Sequence, residues 1–436
     1  MTSLAALIRA RPGGGVLLTS PGGNLSAGDA ATLGFGEAVP QGAAVALAIA
    51  DPAAFVRTIV ALDGVAEALL LLAPGLPAGT VAELMEKAGA TILVSDVNEG
   101  AVLPDPMPGA RPEAGLETRW IMTTSGTTGL PKMVEHRLSG LARSVVANDR
   151  TAGHVWGLIY DPSRFAGLQV VLQALIGGGR LVVPAPGMTM ADELRFFAEA
   201  GVTHLSATPT LWRKMLMLPA GAGLALQQAT LGGEIADAAV LRAVAAQWPA
   251  AHVTHIYAST ELGVGFSVKD GLPGFPASYL ADGVKGAALK LVDDMLWAKP
   301  LAGERPRGAH LETDADGYIR TGDRMEMAGD RVLFRGRESS LANIGGMKVQ
   351  PEHLEQAALA HPHVAGALVT VKANPITGSI LQLTITPAPG APEGRELALS
   401  VKQQLKQTLP RELQPAIVRV AESLDISASG KLERPK

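Results

Sequence analysis

One ten-residue stretch, TTSGTTGLPK, has the composition of a phosphate-binding loop. It runs from Thr123 to Lys132 and holds four threonines, a serine, two glycines and a lysine. Gly loses conformational entropy inside helices and strands, and Ser and Thr compete for backbone hydrogen bonds there, so the stretch is predicted to be a loop. Its backbone amides, hydroxyls and lysine together suit a polyphosphate. We expect the following MVEHRLSGLARSVVAN to form a helix whose N-terminal side favours anions.

The loop does not match the P-loop motif GxxxxGK[ST]. Five residues separate Gly126 from Lys132, and Pro131 stands where the second glycine is required. The later SGKLER fails as well, because Asp425 occupies the first glycine position and Leu432 follows the lysine. A P-loop nucleotidase is therefore disfavoured. A solvated Ser/Thr/Gly loop without a ligand is the other interpretation, and the remaining motifs of the chain decide against it.

Five further stretches follow this loop in the order found in one known family. With the loop, the six stretches are TTSGTTGLPK, ATPT (207–210), YASTE (257–261), TGD (321–323), GRESSLANIGGMKVQPEHLE (336–355) and SGKLER (429–434). Together they resemble the adenylate-forming superfamily, which includes acyl- and aryl-CoA synthetases, carrier-protein-directed adenylation domains and firefly luciferase. The resemblance covers residues 123–434, whereas the chain before it contributes only a compatible α/β pattern.

The resemblance implies an enzyme with two half-reactions. A carboxylate attacks the α-phosphate of ATP, giving acyl-AMP and pyrophosphate, and a thiol then displaces AMP. The loop would wrap the β- and γ-phosphates and stabilise the departing pyrophosphate, since charge stabilisation is most of what phosphoryl transfer requires of a protein. The residues that the resemblance assigns to this role are Thr123, Thr124, Ser125, Gly126, Thr127, Thr128, Gly129 and Lys132.

The motif YASTELG would hold the middle of the nucleotide. By the resemblance, Tyr257 would cover the adenine and Thr260 would hydrogen-bond the α-phosphate. Glu261 would hold Mg²⁺, a hard cation that prefers oxygen ligands. For Thr260 and Glu261, an ordinary helix-cap pair is the alternative.

Two shorter matches would complete the adenosine site. Gly232, Gly233 and Glu234 resemble the family's adenine-binding turn, where the backbone must approach the base closely. Asp323 would accept hydrogen bonds from both ribose hydroxyls, and Arg337 would join it at the ribose. For Asp323 alone, a β-turn aspartate is the alternative.

Lys431 in SGKLER resembles the family's catalytic lysine. Near the end of a mobile tail and preceded by Gly430, it would neutralise charge where the carboxylate oxygen meets the α-phosphate. A solvated tail lysine is the alternative. For the second half-reaction the small domain would rotate and bring NIGGMKV to the site, where Gly345 and Gly346 would line the tunnel for a pantetheine thiol.

Some positions depart from the family pattern. The hinge position that usually carries Asp or Lys is Ser339, although rotation should survive because a hinge needs only permissive dihedrals. Arg164, in LIYDPSRFAGLQVV, stands where CoA-ligase relatives often have His and would suit a substrate with a second carboxylate. A surface Arg capping a helix is the alternative. Asp161 is a candidate partner for a substrate amine, but its spacing to GGGRLVV is long. The segment ahead of the loop is shorter than in many relatives, which leaves the outer wall of the acyl pocket unassigned.

The elements that must position these motifs follow an α/β pattern. AAVALAIA, PAAFVRTIVALDG and EALLLLAPG predict a buried strand, a helix and a second buried strand. Helix-then-strand units recur as far as YAS, which predicts α/β sheets covered by helices. From about residue 280, short alternating strands predict an antiparallel β appendage, and the C-terminal portion predicts a small, mobile α+β domain. We expect an N-terminal adenylation domain over residues 1–336 and a C-terminal domain over residues 337–436.

Composition restricts the class of function. With 436 residues, 47% of them apolar, the chain can bury a large core and favours at least two domains. Its formal net charge of −4 gives no electrostatic footprint for nucleic acid or an anionic membrane. The lack of cysteine excludes disulfides, thiolate metal sites and a cysteine nucleophile, and fits a reducing cytoplasm. We expect no signal peptide, no membrane insertion and no resident metal cluster, and Mg²⁺ would enter with ATP.

These observations predict an ATP-dependent acid-thiol ligase whose acceptor is CoA or the phosphopantetheine of a discrete carrier protein. The acceptor is expected to be external because the chain has no fused carrier domain. One alternative is an acyl-adenylate-forming enzyme with a non-thiol acceptor or an oxidised intermediate. The other is a non-catalytic ATP sensor, which would not require Lys431. The motifs leave the acid open, because one methylene changes binding by only about 1–3 kcal/mol.

Overall fold

The computed structural model describes residues 3–12, 14–97, 105–112, 115–124, 130–301, 306–308, 310–344, 347–374, 378–427 and 430–433. Within these ranges the chain forms a large N-terminal domain with three sheets and a small α+β C-terminal domain. The fold class predicted from the sequence is confirmed.

The helices of the described residues are short to medium in length. In chain order they are α1 (Leu4–Ala10), α2 (Ala27–Ala30), α3 (Pro52–Leu62), α4 (Ala78–Ala88), α5 (Leu138–Leu141), α6 (Phe165–Gly177), α7 (Met190–Glu199), α8 (Pro209–Leu216), α9 (Ala238–Gln247), α10 (Ser278–Asp282), α11 (Pro351–Leu359) and α12 (Gly394–Thr408). Among these helices, none has the length and apolar character that crossing a membrane requires.

The strands of the described residues, in chain order, are β1 (Val16–Ser20), β2 (Gly23–Ser26), β3 (Ala44–Ala48), β4 (Ala68–Leu71), β5 (Ile92–Ser95), β6 (Arg119–Thr124), β7 (Lys132–His136), β8 (Val155–Gly157), β9 (Arg180–Val182), β10 (His204–Ala207), β11 (Gln228–Gly232), β12 (His252–Ser259), β13 (Gly263–Val268), β14 (Phe275–Pro276), β15 (Ala287–Val292), β16 (Met295–Pro300), β17 (Ile319–Ala328), β18 (Arg331–Arg337), β19 (Ala342–Ile344), β20 (Met347–Val349), β21 (Val364–Asn374), β22 (Gly378–Pro387) and β23 (Ile417–Val420).

Two sheets of the N-terminal domain are mainly parallel. The first has the order β13-β12-β11-β10-β8-β9-β1-β2 and the second the order β5-β3-β4-β6-β7. Among the described strands of these two sheets, the antiparallel ones are β13, β2 and β7, at the edges. Parallel neighbours require crossover connections, and helices α3, α4, α6, α7, α8 and α9 supply them. The helix-then-strand units expected from the sequence are confirmed.

Local signals set where several of these helices begin. Helices α3 and α8 start with proline at the first helical position, directly after Asp51 and Thr208. Both capping side chains accept a backbone N–H of the first turn, as Asp237 does for α9. These caps determine where the chain turns away from the preceding strand.

The β appendage and the C-terminal domain also match their predictions. The appendage is an antiparallel sheet of order β14-β18-β17-β16-β15. The C-terminal domain packs α11 and α12 on a sheet of order β21-β22-β23, around a hydrophobic cluster of its own that includes Leu354, Leu383 and Leu397. The boundary expected at residues 336 and 337 falls at the end of β18 and stays a prediction.

The helix expected after the hydroxyl-rich loop is wrong. Residues 132–136 form strand β7, which pairs antiparallel with β6, and only the single turn of α5 follows. Val134 and His136 are buried, whereas Met133 and Glu135 are partly exposed, which is the period of two of an edge strand. The helix was predicted because these residues and the apolar residues after His136 together have the spacing of a helix.

Candidate active site

Three of the motifs meet at one edge of the eight-stranded sheet. Strands β10, β11 and β12 are adjacent and parallel, and Thr208, Gly233 and Thr260 follow them directly. The carboxyl ends of parallel strands lie at the same edge, which is where open α/β sheets bind ligands. The topology therefore gathers motifs that are far apart in the chain.

Asp323 is held by two side chains. It lies opposite Arg337 in the ladder of β17 and β18, and Arg337 Nε donates to its Oδ1 over 3.0 Å. The Tyr257 hydroxyl donates to Oδ2. The charge of Asp323 is the main cause that raises the pKa of Arg337. Each carboxylate oxygen can accept a second bond, so both keep capacity for ribose hydroxyls. Because Asp323 lies within β17, the β-turn alternative is wrong.

Tyr257 is part of an aromatic cluster. Its ring stacks on Phe266 and Phe334, with centroid distances of 5.2 and 5.4 Å and interplanar angles of 22° and 24°. Burial and the Asp323 charge raise the pKa of Tyr257 well above its usual value, so the phenol stays protonated and donates. The predicted contact with adenine stays a prediction. The sequence did not predict the contact of its hydroxyl with Asp323. The two residues are 66 positions apart, and no local pattern indicates that they meet.

Thr260 and Glu261 lie in the turn that joins β12 to β13. The helix-cap alternative for this pair is therefore wrong. Arg143, which follows α5, donates to the carbonyls of Leu262 and Val264 and so anchors the turn. Thr260 and Glu261 are partly exposed at the strand end.

Beneath this turn lies a histidine that the sequence had not singled out. His136 is 3% exposed, and within the described residues its Nε2 has no hydrogen-bond partner. Burial lowers its pKa to about 4, so the ring is neutral near pH 7. Its position at the end of β7, rather than any motif, brings it here.

The described ends of the phosphate loop form a hairpin base. Thr124 at the end of β6 pairs with Lys132 at the start of β7. Thr123 is buried, and its hydroxyl donates to the Leu71 carbonyl over 3.3 Å, whereas Lys132 is exposed. The ladder fixes both ends of the loop. The other predicted loop residues, Ser125, Gly126, Thr127, Thr128 and Gly129, lie outside the described residues, and so do Gly345 and Gly346.

Arg164 lies beside this hairpin base. It occupies the N-cap position of α6, where its side chain makes no capping bond, and it donates to the Thr123 carbonyl over 3.2 Å. Asp161 Oδ2 is 3.9 Å from Arg164 Nε, while its Oδ1 accepts bonds from Ser163. Within the described residues, Asp161 Oδ2 and Arg164 Nε have no hydrogen-bond partner. A contact of either residue with substrate stays a prediction.

Lys431 lies over the turn that follows β11. A Cβ on Gly233 would be 3.2 Å from Lys431 Cε, and Gly233 has a φ of +80°. Although the side chain is exposed, the protein around it lowers the pKa of its ammonium by desolvation, and the Arg337 charge lowers it further. The carboxylates that act in the opposite direction are those of Glu234, Asp323 and Glu261. The structure thus gathers these carboxylates, Arg337 and Lys431 at one strand edge.

Thr208 lies in the motif ATPT, to which the sequence assigned no role. Its hydroxyl donates to the Gly430 carbonyl and accepts from Leu211 N. A threonine before Pro209 signals a helix cap, but the link to the tail depends on tertiary structure. The Glu234 carboxylate accepts from Thr210 N and from Leu432 N, over 3.0 and 3.1 Å.

Comparisons with known proteins identify the family of this chain. A family model described as AMP-binding enzyme matches residues 106–300, and one described as AMP-binding enzyme C-terminal domain matches residues 353–431. A probable nonribosomal peptide synthetase, CymA of Salinispora arenicola, is 28% identical over 427 residues, covering 89% of this chain and 5% of that protein. The chain thus spans only a small part of this curated relative.

Solved structures share the fold at low identity. The anthranilate CoA ligase AuaEII, in complex with anthranoyl-AMP, has a TM-score of 0.80 and 18% identity, over 99% of this chain and 95% of that chain. The amide bond synthetase McbA from Marinactinospora thermotolerans has a TM-score of 0.69 and 16% identity, over 99% and 97%.

The family models and the fold define an enzyme of the AMP-binding class. The chain belongs to the superfamily of adenylate-forming enzymes, as the two family models and the fold together establish.

Proposed function

We propose that this protein is an ATP-dependent acid-thiol ligase that forms an acyl-adenylate and passes the acyl group to the thiol of CoA or of a carrier-protein phosphopantetheine. The observation that carries the proposal is the position of Lys431 among Asp323, Glu234 and Glu261 at the strand edge. A cation held beside the ribose-binding and phosphate-binding candidates has a direct use in adenylation.

In this proposal ATP lies along the carboxyl ends of β10 to β12. Asp323, oriented by Arg337 and Tyr257, accepts the ribose hydroxyls. The turn of Gly232, Gly233 and Glu234 borders the adenine, and Tyr257 approaches it. The hairpin of β6 and β7 carries the loop, with Lys132, that binds the β- and γ-phosphates.

The first half-reaction is an in-line displacement. A substrate carboxylate oxygen forms a bond to the α-phosphorus while the bond from that phosphorus to the bridging oxygen breaks, and pyrophosphate leaves with the bonding pair. Lys431 neutralises negative charge on the carboxylate and α-phosphate oxygens as they approach, and Thr260 donates to the α-phosphate.

Mg²⁺ fits the oxygen donors at this edge. Glu261 is a partly exposed carboxylate in a tight turn, and Mg²⁺ commonly needs only one or two protein carboxylates beside phosphates and water. Bound there, it would supply charge neutralisation for the phosphates. Glu261 would hold it.

In the second half-reaction a thiolate attacks the acyl carbonyl carbon and AMP leaves. We propose that the C-terminal domain, residues 337–436, rotates against residues 1–336 so that Lys431 withdraws and the segment with Gly345 and Gly346 enters. Relatedness to a nonribosomal peptide synthetase supports a carrier protein, and likeness in fold to a CoA ligase supports CoA. An amine acceptor is the alternative that the fold of an amide bond synthetase keeps open.

For the substrate, we propose that Arg164 selects an acid with a second anionic group. Its guanidinium lies beside the loop hairpin and retains an unpartnered Nε within the described residues. Asp161 partly compensates its charge at 3.9 Å. Asp161 itself would instead suit a substrate amine.

The test is pyrophosphate release from purified protein with ATP and Mg²⁺ across fatty, aryl, dicarboxylic and amino acids. Activity should appear with one class and fall at least about a thousandfold in Lys431→Ala, while ATP binding by calorimetry changes little. Lys406→Ala, an exposed lysine on α12, is the matched control and should retain activity. ATP binding with no release for any acid would favour the sensor. A dicarboxylate response lost in Arg164→Ala would support the second-anion pocket.

A further inference from the structure

The segment that carries Lys431 is attached to the N-terminal domain on both sides of the lysine. The Thr208 hydroxyl donates to the Gly430 carbonyl, one residue before it. Glu234 Oε1 accepts from Leu432 N, one residue after it, over 3.1 Å. Both contacts involve the tail backbone, so they locate the lysine whatever its own side chain does.

Glu234 joins the two domains through a single carboxylate. While Oε1 accepts from Leu432 N, Oε2 accepts from Thr210 N in the first turn of α8, over 3.0 Å. The site therefore presents two backbone donors, from different domains, that converge on one anion. A carboxylate satisfies both, whereas an amide can accept only one and places an N–H group against the other.

The backbone bonds within the tail leave Leu432 N available to donate to Glu234. Ser427 N donates to the Lys431 carbonyl and Glu433 N to the Asp425 carbonyl, over 2.8 and 2.9 Å, so residues 425–427 pair with residues 431–433. Neither bond uses Leu432 N, which donates to Glu234 instead. These two bonds therefore do not depend on the contact with Glu234.

Steric fit at Gly430 makes the docking specific. Gly430 has a φ of +74°, and a Cβ there would be 2.6 Å from Leu211 Cδ1 on α8. The tail backbone therefore packs directly on the start of α8, beside Thr208. A side chain at position 430 would therefore collide with Leu211 in this docked position.

We propose that Glu234 is a positioning residue that latches the Lys431 segment onto the first turn of α8, and that opening of this latch accompanies withdrawal of the lysine after adenylation. Thr208 is the second member of the latch. The inference rests on the proposed function for its catalytic meaning, but the docking itself can be measured without any acid substrate.

The absence of cysteine in the chain permits a direct test of docking. Met217→Cys and Leu399→Cys place spin labels at positions that are 44% and 59% exposed, one in each domain. Double electron–electron resonance on the full chain, alone and with ATP and MgCl₂, measures the distribution of distances between the two labels. Docked protein gives a narrow component of this distribution, and its share is the docked population. In Glu234→Gln the ratio of docked to undocked protein should fall about tenfold, as expected for the loss of one charge-assisted hydrogen bond.

Two further variants separate a latch from a general structural role. Leu432→Pro removes the tail N–H without altering the N-terminal domain, and it should shift the ratio as Glu234→Gln does. The double variant should be little worse than either single one, because both remove the same contact. Glu199→Gln, an exposed carboxylate on α7, is the matched control and should leave the distribution unchanged. Equal distributions in Glu234→Gln and Glu199→Gln, or fully additive effects of Glu234→Gln and Leu432→Pro, would overturn the proposal.

Activity then connects the latch to the reaction. With the acid found in the panel, Leu432→Pro should lower the rate of pyrophosphate release about tenfold. When acyl-AMP and thiol are supplied directly, the variant should convert them at the rate of the unaltered protein. Undocking without any loss of pyrophosphate release would overturn the link to Lys431. If no acid is adenylated by the unaltered protein, the proposed function fails, and the distance measurement still decides the latch.

Discussion

Asp323 has two side-chain partners in the candidate site. Arg337 and Tyr257 each donate to a different oxygen, so the carboxylate has a single orientation. Arg337 is its neighbour in a strand pair and could be expected from the motif. Tyr257 reaches it from another sheet, and only the packing of β12 against the appendage decides that contact.

Tyr257→Phe is expected to weaken ATP binding about tenfold. The substitution removes the hydroxyl that orients Asp323 and keeps the ring in its aromatic cluster, and a hydrogen bond to a charged group contributes about 1.5–3 kcal/mol. Calorimetric titration with ATP measures the change.

Tyr279→Phe is the matched control for this prediction. Tyr279 contacts the same cluster, but its hydroxyl bonds to the Ser267 carbonyl and not to Asp323. ATP affinity should be retained in this variant. Equal losses in the two variants would mean that the cluster, rather than the bond to Asp323, controls ATP binding.

The rate of pyrophosphate release is expected to decline as pH rises, and at a lower pH than the ordinary pKa of lysine would give. Desolvation first, and the Arg337 charge second, lower the pKa of Lys431 from its usual 10.5. The charged, active form is present below this lowered pKa and is lost as pH rises through it.

A pH profile of kcat/KM for ATP measures this limb in the unaltered protein. Lys431→Arg provides the assignment, since a guanidinium stays charged over this range. An alkaline limb that persists unchanged in Lys431→Arg would assign the titration to another group.

At the scale of elements, the parallel strands explain why motifs separated in the chain converge. The periodicity of the helix-then-strand units predicted those strands correctly, and the strand order placed β10, β11 and β12 side by side. The loop hairpin shows the limit of periodicity. MVEH is too short for a period to distinguish strand from helix, and pairing with β6 decided it.

The hairpin also changes how the phosphate loop is held. A helix N-terminus would have supplied backbone N–H groups along its axis. The ladder from Thr124 and Lys132 instead fixes both ends of the loop to the sheet that contains β3 and β4. Arg164 contacts this base through the Thr123 carbonyl, which connects the start of α6 to β6.

At the scale of the whole molecule, the two domains have separate hydrophobic clusters. Leu397 on α12 is fully buried in the cluster of the C-terminal domain, whereas the cluster built on β3, β4 and α3 belongs to the N-terminal domain. Separate cores allow the domains to respond independently to core damage and to move against each other.

Leu397→Ala is therefore expected to destabilise the C-terminal domain by about 2–5 kcal/mol with little effect on the N-terminal domain. Hydrogen exchange should quicken in α12 and β21 and stay unchanged in β3 and β4. Leu399→Ala, on the same helix but 59% exposed, should change stability by less than about 0.5 kcal/mol. Quicker exchange throughout the chain in Leu397→Ala would contradict separate domains.

The sequence by itself determined the α/β class, the two-domain plan, the family and the candidate residues, because these depend on short-range periodicity and on motifs whose residues are close in the chain. The tertiary structure decided which groups touch. Tyr257 and Asp323, Thr208 and Gly430, and Glu234 and Leu432 are separated by 66, 222 and 198 positions. Such contacts follow from strand order, sheet packing and the placement of one domain on another, and none of these is encoded in local spacing.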